Sequence, residues 1–151
     1  MDIFIREAIH TDIPNLRNLN LISSSKKLLS YTENKKDLLF LDKYRENGGN
    51  FWVVISENLV IGMVGVVFKG DRVAKIRALR VHPDFRKKGI ATKLMMTLER
   101  YCKDHHIKKM VLGVSEDSMS AISLYQKFEF SKYNEKTLPN GLKVYYLEKN
   151  I

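Results

Sequence analysis

Three consecutive cations, Arg86, Lys87 and Lys88, stand directly before Gly89 and before Ile90, Ala91 and Thr92, which open a strongly periodic segment. This order of residue types suits the binding of a phosphate or diphosphate. The first amide groups of a helix have no intrahelical partner and carry partial positive charge. Gly89 offers no side chain to block an anion, and Ala91 stays small where the helix packs closely. The dipole supplies only about 0.3–2 kcal/mol per anionic group, so several N–H bonds and the three cations must act together. On its own such a run is a weak signal, because a solvated helix start gives the same pattern. Cys102 falls on an apolar stripe and reads as a buried thiol rather than a nucleophile. His105 and His106 close a helix, where imidazole suits the dipole, and no ligand set converges on them to make a metal site.

The elements that must position this loop are legible in the periodicity. Residues 73–81 read as a strand that runs into the loop His82, Pro83, Asp84, Phe85. Residues 89–105 read as a long helix, with Ala91, Met95, Leu98 and Cys102 on one stripe. Upstream, residues 3–6 form a short strand. Thr11 or Asp12 then caps a helix with Pro14 in its first turn and Leu16, Leu19 and Leu21 on its apolar side. Residues 23–27 are polar. A second helix spans about residues 33–47, with Leu38, Leu41 and Tyr44 at helical spacing, and Gly48 and Gly49 stop it. Residues 51–55, 59–68 and 73–81 alternate as strands, with turns at Glu57-Asn58 and Gly70-Asp71, which implies an antiparallel meander. Residues 109–114 are a strand and residues 119–128 a shorter helix whose Ala121, Leu124, Tyr125 and Phe128 share a face. A last hairpin, residues 130–138 and 142–148, turns at Pro139, Asn140 and Gly141. The strand–helix–strand passage from Val73 to Val114 demands a right-handed crossover between parallel strands. The fold class is therefore α+β: a mixed, mostly antiparallel central sheet of about seven strands with helices on both faces, in one domain over residues 1–151.

The chain has 151 residues, 44% hydrophobic and 28% charged, as an ordinary globular protein has. Its net charge is +9, and the excess lies in the half that carries the Arg86 loop: residues 1–75 hold 11 basic and 9 acidic residues, residues 76–151 hold 15 and 8. A basic field draws in anions, although a solvated basic face gives the same count. Nucleic acid is one such anion, but the Lys and Arg residues do not interleave with aromatics as a stacking platform requires. The single cysteine excludes an intrachain disulfide and agrees with a reducing cytosol. The first residues lack the pattern of a secretion signal, and no apolar run is long enough to span a bilayer. The expectation is a soluble, cytoplasmic protein with no membrane partner.

The segment Arg86-Lys87-Lys88-Gly89-Ile90-Ala91 resembles the pyrophosphate motif R/Q-x-x-G-x-G/A of the GCN5-related N-acetyltransferase family. Leu79-Arg80-Val81-His82-Pro83 is similar to that family's preceding strand and exit loop. Ala121-Ile122-Ser123-Leu124-Tyr125-Gln126-Lys127-Phe128-Glu129-Phe130 resembles its second signature at the expected distance, and Ile61-Gly62-Met63-Val64-Gly65 fits its third strand. Two departures stand out: Ser118 where the family usually has Asn, and Glu129 where it favours Gly between two aromatics. The resemblance covers essentially the whole chain.

What the resemblance implies is specific. The fold is the acyl-CoA N-acyltransferase fold, and acetyl-CoA is the co-substrate, with no metal. Leu79, Arg80 and Val81 lend backbone groups to the pantetheine arm and thioester, and Arg86, Lys87, Lys88, Gly89, Ile90, Ala91 and Thr92 hold the pyrophosphate. Ser118 lies near the pantetheine arm. Tyr125 is the general acid for the departing thiolate, although by spacing alone it reads as a core aromatic on the face of Ala121, Leu124 and Phe128. The acceptor is a primary amine that enters between residues 21–37 and 134–142, a region with Tyr31, Glu33 and Glu135 but no clear anionic trap. Many relatives carry a Glu on the strand before the loop; here that strand carries Lys75, Arg77 and Arg80. Glu116 and Asp117 could serve as base through a water or be ordinary loop acids, so the base stays unassigned. The last strands offer an edge on which a homodimer could form. Two other readings stay open: a catalytically silent acyl-CoA-binding or regulatory domain on the same fold, and a basic nucleic-acid-binding domain.

Overall fold

The computed structural model describes residues 2–24 and 41–151. Seven strands form: β1 (Ile3–Glu7), β2 (Asn50–Ser56), β3 (Leu59–Gly70), β4 (Val73–Val81), β5 (Lys109–Ser115), β6 (Ser131–Thr137) and β7 (Lys143–Asn150). They make one sheet in the order β1-β2-β3-β4-β5-β7-β6. β1 to β4 are antiparallel neighbours, β5 returns parallel to β4, and β7 pairs antiparallel with both β5 and β6. The mixed, mostly antiparallel sheet expected from the sequence is the one observed. The described helices are α1 (Ile13–Ser23), α2 (Leu41–Arg45), α3 (Ile90–Asp104) and α4 (Met119–Lys127).

Two hydrophobic layers sandwich the sheet. On one face Leu94, Met95, Leu98 and Cys102 of α3 and Tyr125 of α4 pack with Val64, Val66, Ala74, Ile76, Met110 and Leu112. On the other, Leu16 and Leu19 of α1 and Leu41 and Tyr44 of α2 pack with Phe51, Val53 and Met63. Each such aliphatic side chain contributes about 1.5–3 kcal/mol when fully buried. β2 is buried along its whole length because both faces are covered. Burial pushes the Cys102 thiol up to about 12, so it stays protonated and inert.

Several local expectations change. Asp12 does not cap α1 with its side chain; its carboxylate accepts Nη1 and Nη2 of Arg6 at 2.8 and 2.9 Å and the Ile9 amide at 2.8 Å. That fork locks β1 to the turn before α1 and holds the Asp12 carboxyl below the usual range. Leu21 is exposed rather than part of the apolar side of α1, since 3.6 residues per turn place it opposite Leu16 and Leu19. The inward stripe of α3 runs through Ile90, Leu94, Met95, Leu98 and Cys102, with Ala91 at its margin. The second β-turn centres on Asp71 and Arg72, both with positive φ, because β3 continues to Gly70. The expected helix over residues 33–47 is described only from Leu41; residues 25–40, with Tyr31, Glu33, Leu38 and most of the polar stretch, lie outside the described residues.

Two positions fix the site's supports. A Cβ on Gly62 of β3 would come within 3.0 Å of Ile90 and 3.3 Å of Leu94, so the missing side chain lets the first turn of α3 sit directly on the sheet. α4 ends in a left-handed residue, Glu129 (φ 69°), with Phe130 N–H bonded to Tyr125 O at 3.0 Å and Glu129 N–H to Gln126 O at 3.0 Å. This is a Schellman-type end in which glycine is the unstrained residue. Glu129→Gly is expected to raise unfolding free energy by about 1 kcal/mol, read as a higher urea midpoint with unchanged slope; an unchanged or lower midpoint would count against strain at this cap.

Candidate active site

The ladder between β4 and β5 is short. Val73, Ala74 and Lys75 pair with Lys109, Met110 and Val111, and there the pairing stops, although β4 runs on to Val81 and β5 to Ser115. The two strands remain tied to their outer partners, β4 to β3 up to Val81 and β5 to β7 up to Ser115. They therefore part like a V, and on the edge that faces β5 the β4 residues beyond Lys75 have no strand partner among the described residues. A bulge shapes the open arm: Arg77 and Arg80 sit opposite Gly65 and Met63, and Ala78 takes a positive φ of 58°. An extra residue in one strand bends it and re-aims its side chains.

Beyond Val81 the chain turns through a short 3₁₀ segment, Pro83–Phe85, into the head of α3. His82 Nδ1 accepts the Asp84 amide at 3.1 Å, and the His82 and Phe85 rings meet edge to face at 5.4 Å. Lys87 (φ 61°) and Gly89 (φ 75°) are both left-handed. Such changes of handedness turn successive N–H groups toward one side, as in anion-binding nests. Gly89 is the N-cap, supplies no side-chain cap, and would have nothing within 4 Å of an added Cβ. The first bond of the helix runs from Lys93 N–H to Gly89 O at 3.0 Å. Hence, among the described residues, the amides of Ile90, Ala91 and Thr92 have no partner. Lys87 and Lys88 are exposed beside them, with Lys88 Nζ 5.7 Å above the Phe85 ring. Donors, charge and room thus fit a diphosphate. Arg86 also reaches across to Ser23 O at 3.3 Å, tying the loop to the end of α1.

Arg80 and Tyr125 lie deeper. Nε of Arg80 is shared by Asn20 Oδ1 at 3.2 Å and Ser24 Oγ at 3.0 Å, and Nη1 donates to Leu79 O at 2.8 Å. Burial pushes its pKa down from the ordinary guanidinium range, while Tyr125 and Tyr44 act in the other direction. Tyr125 is 5% exposed and packs on Phe130, ring centroids 5.7 Å apart. Its hydroxyl has no hydrogen-bond partner among the described residues, and no buried side-chain oxygen there is left unpaired. The hydroxyl is thus the part of Tyr125 that reaches open space. Burial pushes it up to about 12, with Arg80 opposing. Tyr125 is thus a core aromatic of the layer that also holds Leu94, Met95 and Leu98.

Ser118 begins α4. Ser115 Oγ donates to Asp117 Oδ1 at 2.7 Å, so its 2.8 Å contact with Ser118 takes the Ser118 proton. Ser118 can then accept from a ligand amide but not donate to its carbonyl, unlike the Asn it replaces. Glu116 and Asp117 follow β5, and the Asp117 carboxylate accepts the Ser115 hydroxyl. Among the described residues no three of His, Cys, Asp and Glu converge on a metal position, and no helix is long and apolar enough to cross a membrane. Sequence reasoning missed the end of α1: Asn20, Ser23 and Ser24 anchor both arginines. Nothing in the local sequence marks this contact, since Arg80 is one of three cations, with Lys75 and Arg77, on its strand.

The model of the acetyltransferase (GNAT) family matches residues 14–130. Human N-acetyltransferase 8 is 33% identical over 92 residues, which is 58% of this chain and 40% of that protein. An N-alpha-acetyltransferase of Saccharolobus solfataricus is 28% identical over 147 residues, 87% of this chain and 81% of that one. The chain thus spans about two fifths of the first of these relatives. Among solved structures, PaiA N-acetyltransferase of Thermoplasma acidophilum in complex with coenzyme A superposes with TM-score 0.81 over 100% of both chains at 19% identity, a likeness of fold. A family model that covers most of the chain, together with a sheet that parts in front of an uncapped helix, places this protein in the GNAT acetyltransferase family.

Proposed function

We propose that the chain transfers an acetyl group from acetyl-CoA to a primary amine by direct attack on the thioester. The observation that carries this reading is the set of amides at Ile90, Ala91 and Thr92 without a partner among the described residues, directly behind Gly89 on the chain that leaves the unpaired arm of β4. In this reading Arg86, Lys87, Lys88 and the α3 amides hold the pyrophosphate. The unpaired arm of β4, Leu79 to Val81, extends its hydrogen-bonding edge to the pantetheine arm, and Ser118 accepts from it on the far side. The thioester supplies an activated acyl carbon. A backbone N–H of Leu79–Val81 holds the carbonyl oxygen and takes up the negative charge that grows on it as the amine nitrogen bonds to carbon; one such donor is worth about 3 kcal/mol. As the carbon–sulfur bond breaks, the Tyr125 hydroxyl gives its proton to the departing sulfur, and the proton shed by the acylated nitrogen, passed on through solvent, restores the phenol. The coenzyme A bound by PaiA from Thermoplasma acidophilum, on the same fold, supports the co-substrate assignment.

Tyr125 pushed up to about 12 stays protonated throughout the working range. Its hydroxyl is then a fixed donor, and turnover is governed on the alkaline side by the acceptor. A group whose pKa is raised loses its proton only as pH climbs through the raised value, so kcat/KM should rise as the amine deprotonates and then hold level past pH 10. A fall below pH 10 would contradict Tyr125 as the donor. In a thiol-release assay over a panel of amines, Tyr125→Phe should lower kcat by about 10²-fold with acetyl-CoA affinity unchanged; unaltered kcat removes that role, and no release with any amine removes the transferase reading.

A further inference from the structure

Among the described residues, Arg80 is a partly buried cation in contact only with neutral groups. Nε is used by Asn20 and Ser24 and one Nη1 hydrogen by Leu79 O. Among the described residues the groups that act on it electrostatically are the phenols of Tyr125 and Tyr44, and no carboxylate is among them. By contrast Arg6 pairs with Asp12, Lys149 with Glu99 and Lys109 with Glu148. Taking a charge from water without a counter-ion is costly, and such groups are ordinarily paired. Nη2 has no partner among the described residues, yet no buried side-chain nitrogen is left unpaired, so Nη2 retains access to open space. The remaining Nη1 and Nη2 hydrogens form the outer fork of the guanidinium, which matches the two oxygens of a carboxylate. Asn20 and Ser24 fix the inner edge and pre-aim that fork.

Arg80 lies on the open arm of β4, past the last pair with β5, and close enough to Tyr125 to act on its pKa. A free cation beside the reacting carbon repels an acceptor that is only cationic. It favours one whose amine comes with an anion. Resting on the transferase reading above, we infer that the Arg80 guanidinium is a carboxylate subsite for the acceptor, which makes the substrate a small amino acid or another molecule that carries an amine and a carboxylate together. The diphosphate is held elsewhere, by the loop at Arg86 to Gly89, so the Arg80 fork stays available in the loaded enzyme.

The test uses matched acceptors: free α-amino acids, their amides, and the amines that lack the carboxyl group, each assayed for acetylation with the wild-type chain. The free acids should be preferred by about 10- to 100-fold in kcat/KM, the range expected for loss of hydrogen bonds to a charged group. Arg80→Gln should erase that preference, read as the ratio of kcat/KM for each acid to that for its matched amide within the same variant, so that any loss common to all acceptors cancels; Arg80→Lys, which keeps charge but loses the fork, should restore part of the ratio. A wild-type enzyme that uses amides and simple amines as well as acids overturns the proposal without any variant, whatever the variants' stability. Retained preference in a folded Arg80→Gln enzyme overturns it too. Coenzyme A uptake without acetylation of any panel member is a failure of the transferase reading and is distinguishable from both.

Discussion

The structure turns on a pairing that is not made. Three residue pairs join β4 to β5, and then the strands separate while each stays bonded to its outer neighbour. Unpaired backbone in a protein interior is costly, so a sheet parted in this way implies something that completes it. The bulge at Ala78 keeps the arm bent, and Gly62 lets the first turn of α3, whose head is uncapped, sit directly on the sheet. One gap thus has two features suited to an extended, phosphate-bearing ligand: a strand edge for its polar arm and a helix terminus for its charge.

Electrostatics divides the site into two zones. The outer zone is exposed, with Arg86, Lys87 and Lys88 around free amides, and its attraction for anions is sensitive to salt. The inner zone is partly desolvated, with Tyr125 and Arg80 in each other's field. The end of α1 braces both, through Ser23 O on Arg86 and Asn20 and Ser24 on Arg80. Movement of α1 would therefore be felt at both zones together.

Much of this was legible in the sequence. Alternating apolar residues gave the strands, the helical stripe gave α3, and the basic run before Gly89 marked the loop, because these depend on local periodicity and charge. What escaped depends on tertiary geometry. Leu21 looks apolar but faces water, since helix phase is set by the packing of Leu16 and Leu19. Asp12 sits at a capping position but is taken by Arg6, a stronger partner than a backbone amide. The bulge has no sequence marker, for Ala78 accepts a positive φ that favours glycine. Arg80 was legible as part of a motif, but its neutral partners and free fork appear only once α1 is laid against β4.

The central claim, that amides at the head of α3 grip a diphosphate, is most directly tested by calorimetric titration of coenzyme A into the wild-type chain and into Gly89→Glu, with folding of both checked by thermal melting. The account predicts one saturable site in the wild type, weakened by added salt, and loss of that site when a carboxylate fills the open space beside Gly89. No uptake by the wild type, or equal uptake by a folded Gly89→Glu, would contradict it.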